Sequence, residues 1–259
     1  MSTYKLTLAY RGTDFSGFAR QKDPAIRTVQ EELEQALAIA LRLDTPPHTV
    51  CAGRTDAGVH ACAQVVSFSL DVALSTEQCI QMVRSLNALT ARDISVSDLR
   101  QAPDGFSARF DAISRKYHYR IFNQSYPPIF AADYVWHLAQ SFDIAEMQTA
   151  ANYLLGEHDF RSFCTSATAE VIDNTMRTVT GIEIVEEVHL GESVLAIKVT
   201  GNAFLHSMVR IIVGTLVEVG TGKRSSADIP TILAACDRTV AGQTAPAHGL
   251  TLYKVEYPF

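Results

Sequence analysis

Ala52-Gly-Arg54-Thr-Asp56-Ala-Gly58-Val-His60-Ala61 sets one acid between two glycines, with an arginine two residues ahead of it. The alternating run Gln64 to Leu70 follows, with Val66, Phe68 and Leu70 on one face, the period of a half-buried strand. Glycine reaches backbone angles that other residues avoid, and its missing side chain lets a ligand come close. Asp56 is therefore expected on a tight, partly open turn set against a strand, a good way to present one carboxylate. The same spacing also suits an Asx turn, in which the aspartate merely binds its own backbone.

Working outward, Tyr4 to Tyr10 alternates as a strand, and a glycine-bearing loop runs from Arg11 to Gln21. Thr28-Val-Gln-Glu31 matches a capping box and opens a helix with Val29, Leu33, Leu37 and Leu41 on one stripe, stopped by Pro46-Pro47. Ser75-Thr-Glu-Gln78 repeats the signal ahead of a helix that turns Cys79, Met82, Val83 and Leu86 inward. Ile94, Val96 and Leu99 close this half as a strand. Strand, helix, strand, strand, helix, strand is the order of a ferredoxin-like α+β layer.

Gln101-Ala-Pro-Asp-Gly105 reads as a linker. It divides residues 1–105, an N-terminal α+β domain carrying the Asp56 turn, from a C-terminal α+β domain, 106–259. In the second domain, Arg115 to Ile121 reads as a strand with Tyr117, Tyr119 and Ile121 on one face and Lys116, His118 and Arg120 on the other. Cations interleaved with aromatics suit bases stacked beside phosphates, and equally suit a tyrosine core face backed by a solvated basic face. Asp143-Ile-Ala-Glu146 caps a further helix with Met147, Ala151 and Leu154 inward, ended by Gly156, and Glu157 to Phe160 is read as a polar surface loop. Val179–Val188 and Val194–Thr200 form an antiparallel pair. Asn202 can cap an apolar helix from about Phe204 to Val219 that carries Arg210, a cation expected to have an acidic partner or to reach solvent along its stem. A helix spans about Ala227 to Cys236, and a strand runs from Leu250 to about Tyr257. Gly220-Thr-Gly222-Lys223 is no Walker A loop, because the glycine required five residues before Gly222 is Val217. The expected architecture is two ferredoxin-like (RRM-like) α+β layers forming a largely antiparallel sheet with a central cleft.

Composition narrows the function classes. With 259 residues, 47% hydrophobic and 19% charged, the chain has the makeup of a soluble protein with an ample core. No apolar run reaches membrane-span length and the first residues lack the pattern of a secretory signal, so a cytoplasmic location is expected. Five scattered cysteines without a Cys-x-x-Cys pair argue against a disulfide framework and a structural zinc. A zinc deaminase would need His-x-Glu and Pro-Cys-x-x-Cys, and neither occurs. A net charge of −6, from 22 basic and 28 acidic residues, weighs mildly against nucleic acid unless the cations cluster on one surface.

The ten residues around Asp56 resemble the signature of the TruA family of tRNA pseudouridine synthases. The resemblance continues through Thr28-Val-Gln-Glu-Glu-Leu-Glu34, Leu86-Asn87 with Asp93-Ile94, Phe106-Ser-Ala-Arg-Phe110 and Arg115-Lys-Tyr117-His-Tyr119. It extends to His158-Asp-Phe160, Met208-Val-Arg210-Ile with Gly214, and Gly249-Leu250, in the family's order and across both halves. It implies conversion of uridine to pseudouridine in the anticodon stem-loop of tRNA (positions 38–40), without cofactor or metal, by a homodimer whose cleft holds the RNA. By position, the resemblance makes Asp56 the nucleophile, Arg54 the residue that assists base flipping, and Tyr117 the ring that stacks on the uracil. It makes Arg210 the partner of Asp56, Leu250 an apolar wall of the pocket, and Arg109 a contact to RNA.

Three positions depart from the family pattern: Ala19 in place of glutamine, no basic residue in Thr165 to Glu170, and His206-Ser207-Met208, which shifts a histidine by one. None belongs to the implied catalytic set. Two other function classes fit the residues alone: an RNA-binding protein of the same fold without turnover, and a small-molecule hydrolase using Asp56 and a histidine.

Overall fold

The computed structural model describes residues 1–23 and 25–258, in two compact units: Met1–Ile113 with the C-terminal stretch from Leu252, and Ser114–Thr251. Its strands pair mostly antiparallel within a mixed α/β architecture.

The first unit contains β1 (Ser2–Tyr10), α1 (Val29–Leu41), β2 (Val50–Cys51), β3 (His60–Leu70), α2 (Thr76–Leu89) and β4 (Ile94–Gln101). Strand β1 lies between β3 and β4, antiparallel to both, and β2 pairs with β3 through Val50–Ser67 and Cys51–Val66. The Thr28 side chain accepts the Glu31 N–H, and Ser75 with Gln78 forms a full capping box, so both predicted helix starts stand. Helix α1 stops earlier than the proline pair, at Arg42 in the left-handed region. Two of the recognised motifs have structural work here. Asn87 bonds the Val96 N–H and carbonyl through both ends of its amide, stitching α2 to β4. Asp93 takes two hydrogen bonds from the Arg27 guanidinium, which also binds Glu32 and lies 4.0 Å over the Phe15 ring.

The second unit contains β5 (Ser114–Phe122), β6 (Trp136–His137), α3 (Ile144–Asn152), β7 (Gly156–Asp159), α4 (Ser166–Val171), β8 (Met176–His189), β9 (Glu192–Gly201), α5 (Met208–Gly220) and α6 (Ile229–Ala235). The last strand, β10 (Leu250–Glu256), begins in this unit and continues in the first. Strand order is β5-β9-β8-β7, with β6 parallel to β5. Leu190 and Gly191, both at positive φ, make the two-residue turn between β8 and β9 that suits the twist of a hairpin.

Sequence reasoning misplaced three features here. Asn202 caps no helix: its side-chain oxygen accepts the Thr178 and Ala203 N–H groups, and α5 begins only at Met208, after Ser207 takes φ 59°. Gly156 does not end α3, which stops at Tyr153; at φ 100° it starts β7 instead. The stretch 157–160 is mostly that strand rather than a surface loop, and Phe160 is buried.

Helix α5 is buried almost all round, as its uninterrupted apolar sequence demands. Segment 241–245 lies directly along it. The Gly242 N–H bonds the Thr215 hydroxyl, the Gln243 N–H bonds Glu218, and Ala245 exchanges hydrogen bonds with Arg210. A Cβ on Gly214 would collide with the Gln243 carbonyl. Alanine is intrinsically the better helix former by about 0.5–1 kcal/mol. Overpacking costs about 1–3 kcal/mol, so the clash wins. Gly214→Ala is expected to destabilise the protein by about 1–2 kcal/mol net. Chemical denaturation checks this, and an unchanged or raised midpoint contradicts the packing argument.

Candidate active site

Asp56 sits half-buried on the segment joining β2 to β3, with Arg54 exposed and Thr55 buried beside it. The fold holds this segment from several sides. The loop after β1 lies against it: Phe18 N–H donates to the Thr55 carbonyl, Gly58 N–H to the Phe15 carbonyl, and Val59 N–H to that of Asp56 itself. Two glycines allow the approach. A Cβ on Gly12 would strike the Val59 carbonyl, and one on Gly17, which has φ 99°, would lie 2.9 Å from the Thr55 carbonyl. From below, Tyr10 Oη bonds Thr55 Oγ1 at 2.8 Å, Gln64 Nε2 donates to the Gly53 carbonyl at 2.7 Å, and His60 Nδ1 accepts the Gly12 N–H. Tyr10, Thr55, Gln64 and His60 are all buried, where an unmade hydrogen bond is expensive, so they resist rearrangement.

The loop is itself anchored. Arg20 forms a 2.5 Å ion pair with Glu34, a buried carboxylate that also accepts from Gln30, Thr49 N–H and the Thr49 hydroxyl. Ala19, one of the departures from the family pattern, precedes this anchor. Sequence reasoning missed Tyr10, Glu34, Thr49 and Gln64, whose partners are distant in the chain.

Arg109 belongs to the same unit and stands near Asp56's segment. Ala108 packs in one buried cluster with Ala52, and its N–H bonds Ser67 of β3. Burial pushes the Cys51 thiol up to about 11, while the nearby Arg54 and Arg109 guanidiniums pull the other way.

In the second unit, Tyr117 lies on β5, Arg210 on α5 and Leu250 at the start of β10. Tyr117 is buried, with its ring edge-on to Phe204 at 5.3 Å. Arg210 Nε donates to the Ala245 carbonyl at 2.8 Å, which fixes the plane of its guanidinium. Tyr119 donates to the Pro246 carbonyl, and a Cβ on Gly249 would come within 2.6 Å of its ring, so glycine there seats the chain just before the buried Leu250. Two of the departures meet each other: His206 Nδ1 lies 3.2 Å from Thr165 Oγ1 and 3.4 Å from Thr168 Oγ1.

The profile of the tRNA pseudouridine synthase family matches residues 7–111 and 150–258. The chain belongs to that family. Its members are isomerases, and full-length relatives agree. The tRNA pseudouridine synthase A of Bacillus velezensis is 41% identical over 253 residues, 98% of each chain. That of Shouchella clausii is 42% identical over 257 residues, 99% of this chain and 94% of that one. That of Bacillus subtilis is 39% identical, again over 98% of both.

One expectation for this member of the synthase family changes. The face Lys116, His118, Arg120 is not a solvated one, and only Lys116 is even half-exposed. His118 and Arg120 are buried, and Arg120 and Lys198 share the Glu187 carboxylate at 2.9 and 3.0 Å. The alternating pattern is real, but β9 and β8 supply neighbours that turn the face into an internal ion cluster. Among the described residues, no helix is long and apolar enough to cross a membrane.

Burial, together with Arg120 and Lys198, pulls the His118 imidazole down to about 4 from its ordinary 6.5. Between those values the unfolded state binds the extra proton and the folded state does not, so stability falls as pH drops from about 6.5 towards 4. His118→Gln removes this titration and is expected to flatten the pH dependence in that window. Denaturation at several pH values checks it, and parallel slopes for the two proteins contradict it.

Proposed function

We propose that this chain converts uridine to pseudouridine in the anticodon stem-loop of tRNA, with Asp56 as the nucleophile. The reaction breaks the uridine C1′–N1 bond, turns the ring and forms a C1′–C5 bond; the C5 proton leaves and N1 gains one. Family membership supports the isomerisation. The observation that carries the role of Asp56 is its seat: one carboxylate on a half-buried turn whose flanking backbone is pinned by Phe15, Phe18, Gln64 and the two close-approach glycines. A pre-positioned reactive group saves the entropy of assembling it with substrate.

In this reading Arg210 supplies the counter-charge to Asp56, and its bond to the Ala245 carbonyl orients the guanidinium for that task. Tyr117 stacks on the uracil so that the detached ring turns without diffusing away, and Leu250 closes the pocket with apolar surface. Arg54 assists the base out of its stack, and Arg109 contacts the RNA backbone. No cofactor or metal enters the chemistry. The order of strands and helices supports two ferredoxin-like layers, the family resemblance supports a homodimer whose central cleft holds the RNA, and a cytoplasmic location fits a tRNA substrate.

Asp56→Asn removes the charge and nearly preserves the shape, so the turn and the RNA surface should survive. Tritium release from tRNA carrying 5-tritiated uridine is expected to fall by at least about a thousandfold, roughly 4 kcal/mol of barrier. Filter binding should change far less, since phosphate contacts supply most affinity for tRNA. Near-normal release would reduce Asp56 to a turn former.

Arg210→Lys tests the partner assignment. Lysine keeps the charge but lacks the planar fork that matches a carboxylate. Most turnover should be lost in a protein that remains folded by circular dichroism. Wild-type turnover in that variant would overturn the pairing.

A further inference from the structure

Phe110 is 79% exposed, unusual for a large aromatic ring at the tip of a well-anchored turn. Phe106, Ser107 and Ala108, shortly before it, are tied down. Phe106 is buried edge-on to Tyr257 at 5.1 Å, and Tyr257 Oη donates to the Ala108 carbonyl at 2.8 Å. The Ala108 N–H bonds Ser67 Oγ, and the Ser107 N–H bonds Asp111 Oδ2 at 2.8 Å. The ring is thus held out on a rigid mount.

Its location gives the exposure meaning. Ser67 pairs with Val50 of β2, the strand that runs directly into the Asp56 turn, and Ala108 shares a buried cluster with Ala52. The Arg109 guanidinium lies 5.4 Å from the Phe110 ring centre, and Arg54 is exposed on the adjoining segment. An outward aromatic beside two exposed guanidiniums is the combination that binds unpaired nucleotides, the ring stacking on a base while the cations meet the flanking phosphates.

We propose that Phe110 is a base-stacking residue that holds an unstacked nucleotide of the RNA next to the target uridine, with Arg109 and Arg54 on its phosphates. This rests on the tRNA reading above and extends it to a residue outside the implied catalytic set. Stacking tolerates any base, so Phe110 contributes affinity and placement rather than sequence readout.

The test uses the full-length protein and unmodified tRNA, and reads binding rather than turnover. Phe110→Ala is expected to weaken tRNA binding by about tenfold, with an unfolding midpoint close to wild type because the side chain is exposed. Phe110→Tyr should restore binding. The chain has a single tryptophan, Trp136, so Phe110→Trp adds one reporter that can be read by difference against wild type. The fluorescence of the added indole should be quenched by tRNA and not by heparin, which offers anionic charge without bases. Two results overturn the proposal: wild-type affinity in Phe110→Ala, or a reporter signal in Phe110→Trp that tRNA leaves unchanged or heparin quenches equally. Absence of tritium release from wild type would instead refute the catalytic reading, and these binding measurements are independent of it.

Discussion

At Gly12 and Gly17 two backbone segments come closer than any side chain permits. The approach brings the loop after β1 onto the segment that carries Asp56, where Phe15, Phe18 and Val59 complete the backbone hydrogen bonding. An aspartate on a glycine-rich turn would ordinarily sample many conformations. Here the turn inherits the rigidity of β1 and β3, because the loop and the turn leave and rejoin those strands at Tyr10 and His60.

Polar groups rather than apolar ones finish this arrangement. Tyr10, Thr55, Gln64, His60, Glu34 and Thr49 are all buried, and each has a partner supplied by a distant part of the chain. Burying such groups adds little net stability, but leaving one unsatisfied costs about 1–3 kcal/mol. That asymmetry penalises every alternative loop position more than it rewards the native one. The outer anchor works the same way. Arg27 joins Glu32 and Asp93, and the guanidinium holds the Asp93 carboxyl below its ordinary range despite partial burial.

The charge balance also finds its place. A net charge of −6 sits poorly with a polyanionic substrate, and several cations are already paired with carboxylates of the chain. Arg120 and Lys198 are tied to Glu187, Arg224 to Glu218, and Arg20 to Glu34. Arg54 and Arg109 remain exposed in the unit that carries Asp56. Position relative to the Asp56 turn therefore matters more than the total, since a local field steers a ligand within about a Debye length.

The sequence by itself determined the local elements and the glycine-flanked turn that carries Asp56. Helix starts at Thr28, Ser75 and Asp143, the β8–β9 hairpin, and the glycine-flanked Asp56 are readable because capping, turn chemistry and side-chain periodicity act over a few residues. The family motifs around Asp56, Tyr117 and Arg210 were legible for the same reason, as contiguous strings. Tertiary structure decided what distant residues do to one another. A basic stripe on β5 became an internal ion cluster only because β8 placed Glu187 across from it, and Asn202, which looks like a helix cap, was claimed by Thr178. Phe110 reads in sequence as one more apolar residue of a short motif, yet it is exposed while Phe106 and Ala108 of the same motif pack with Tyr257 in a buried cluster. Those outcomes depend on which strand lies next to which, a competition between partners far apart in the chain that no local pattern encodes.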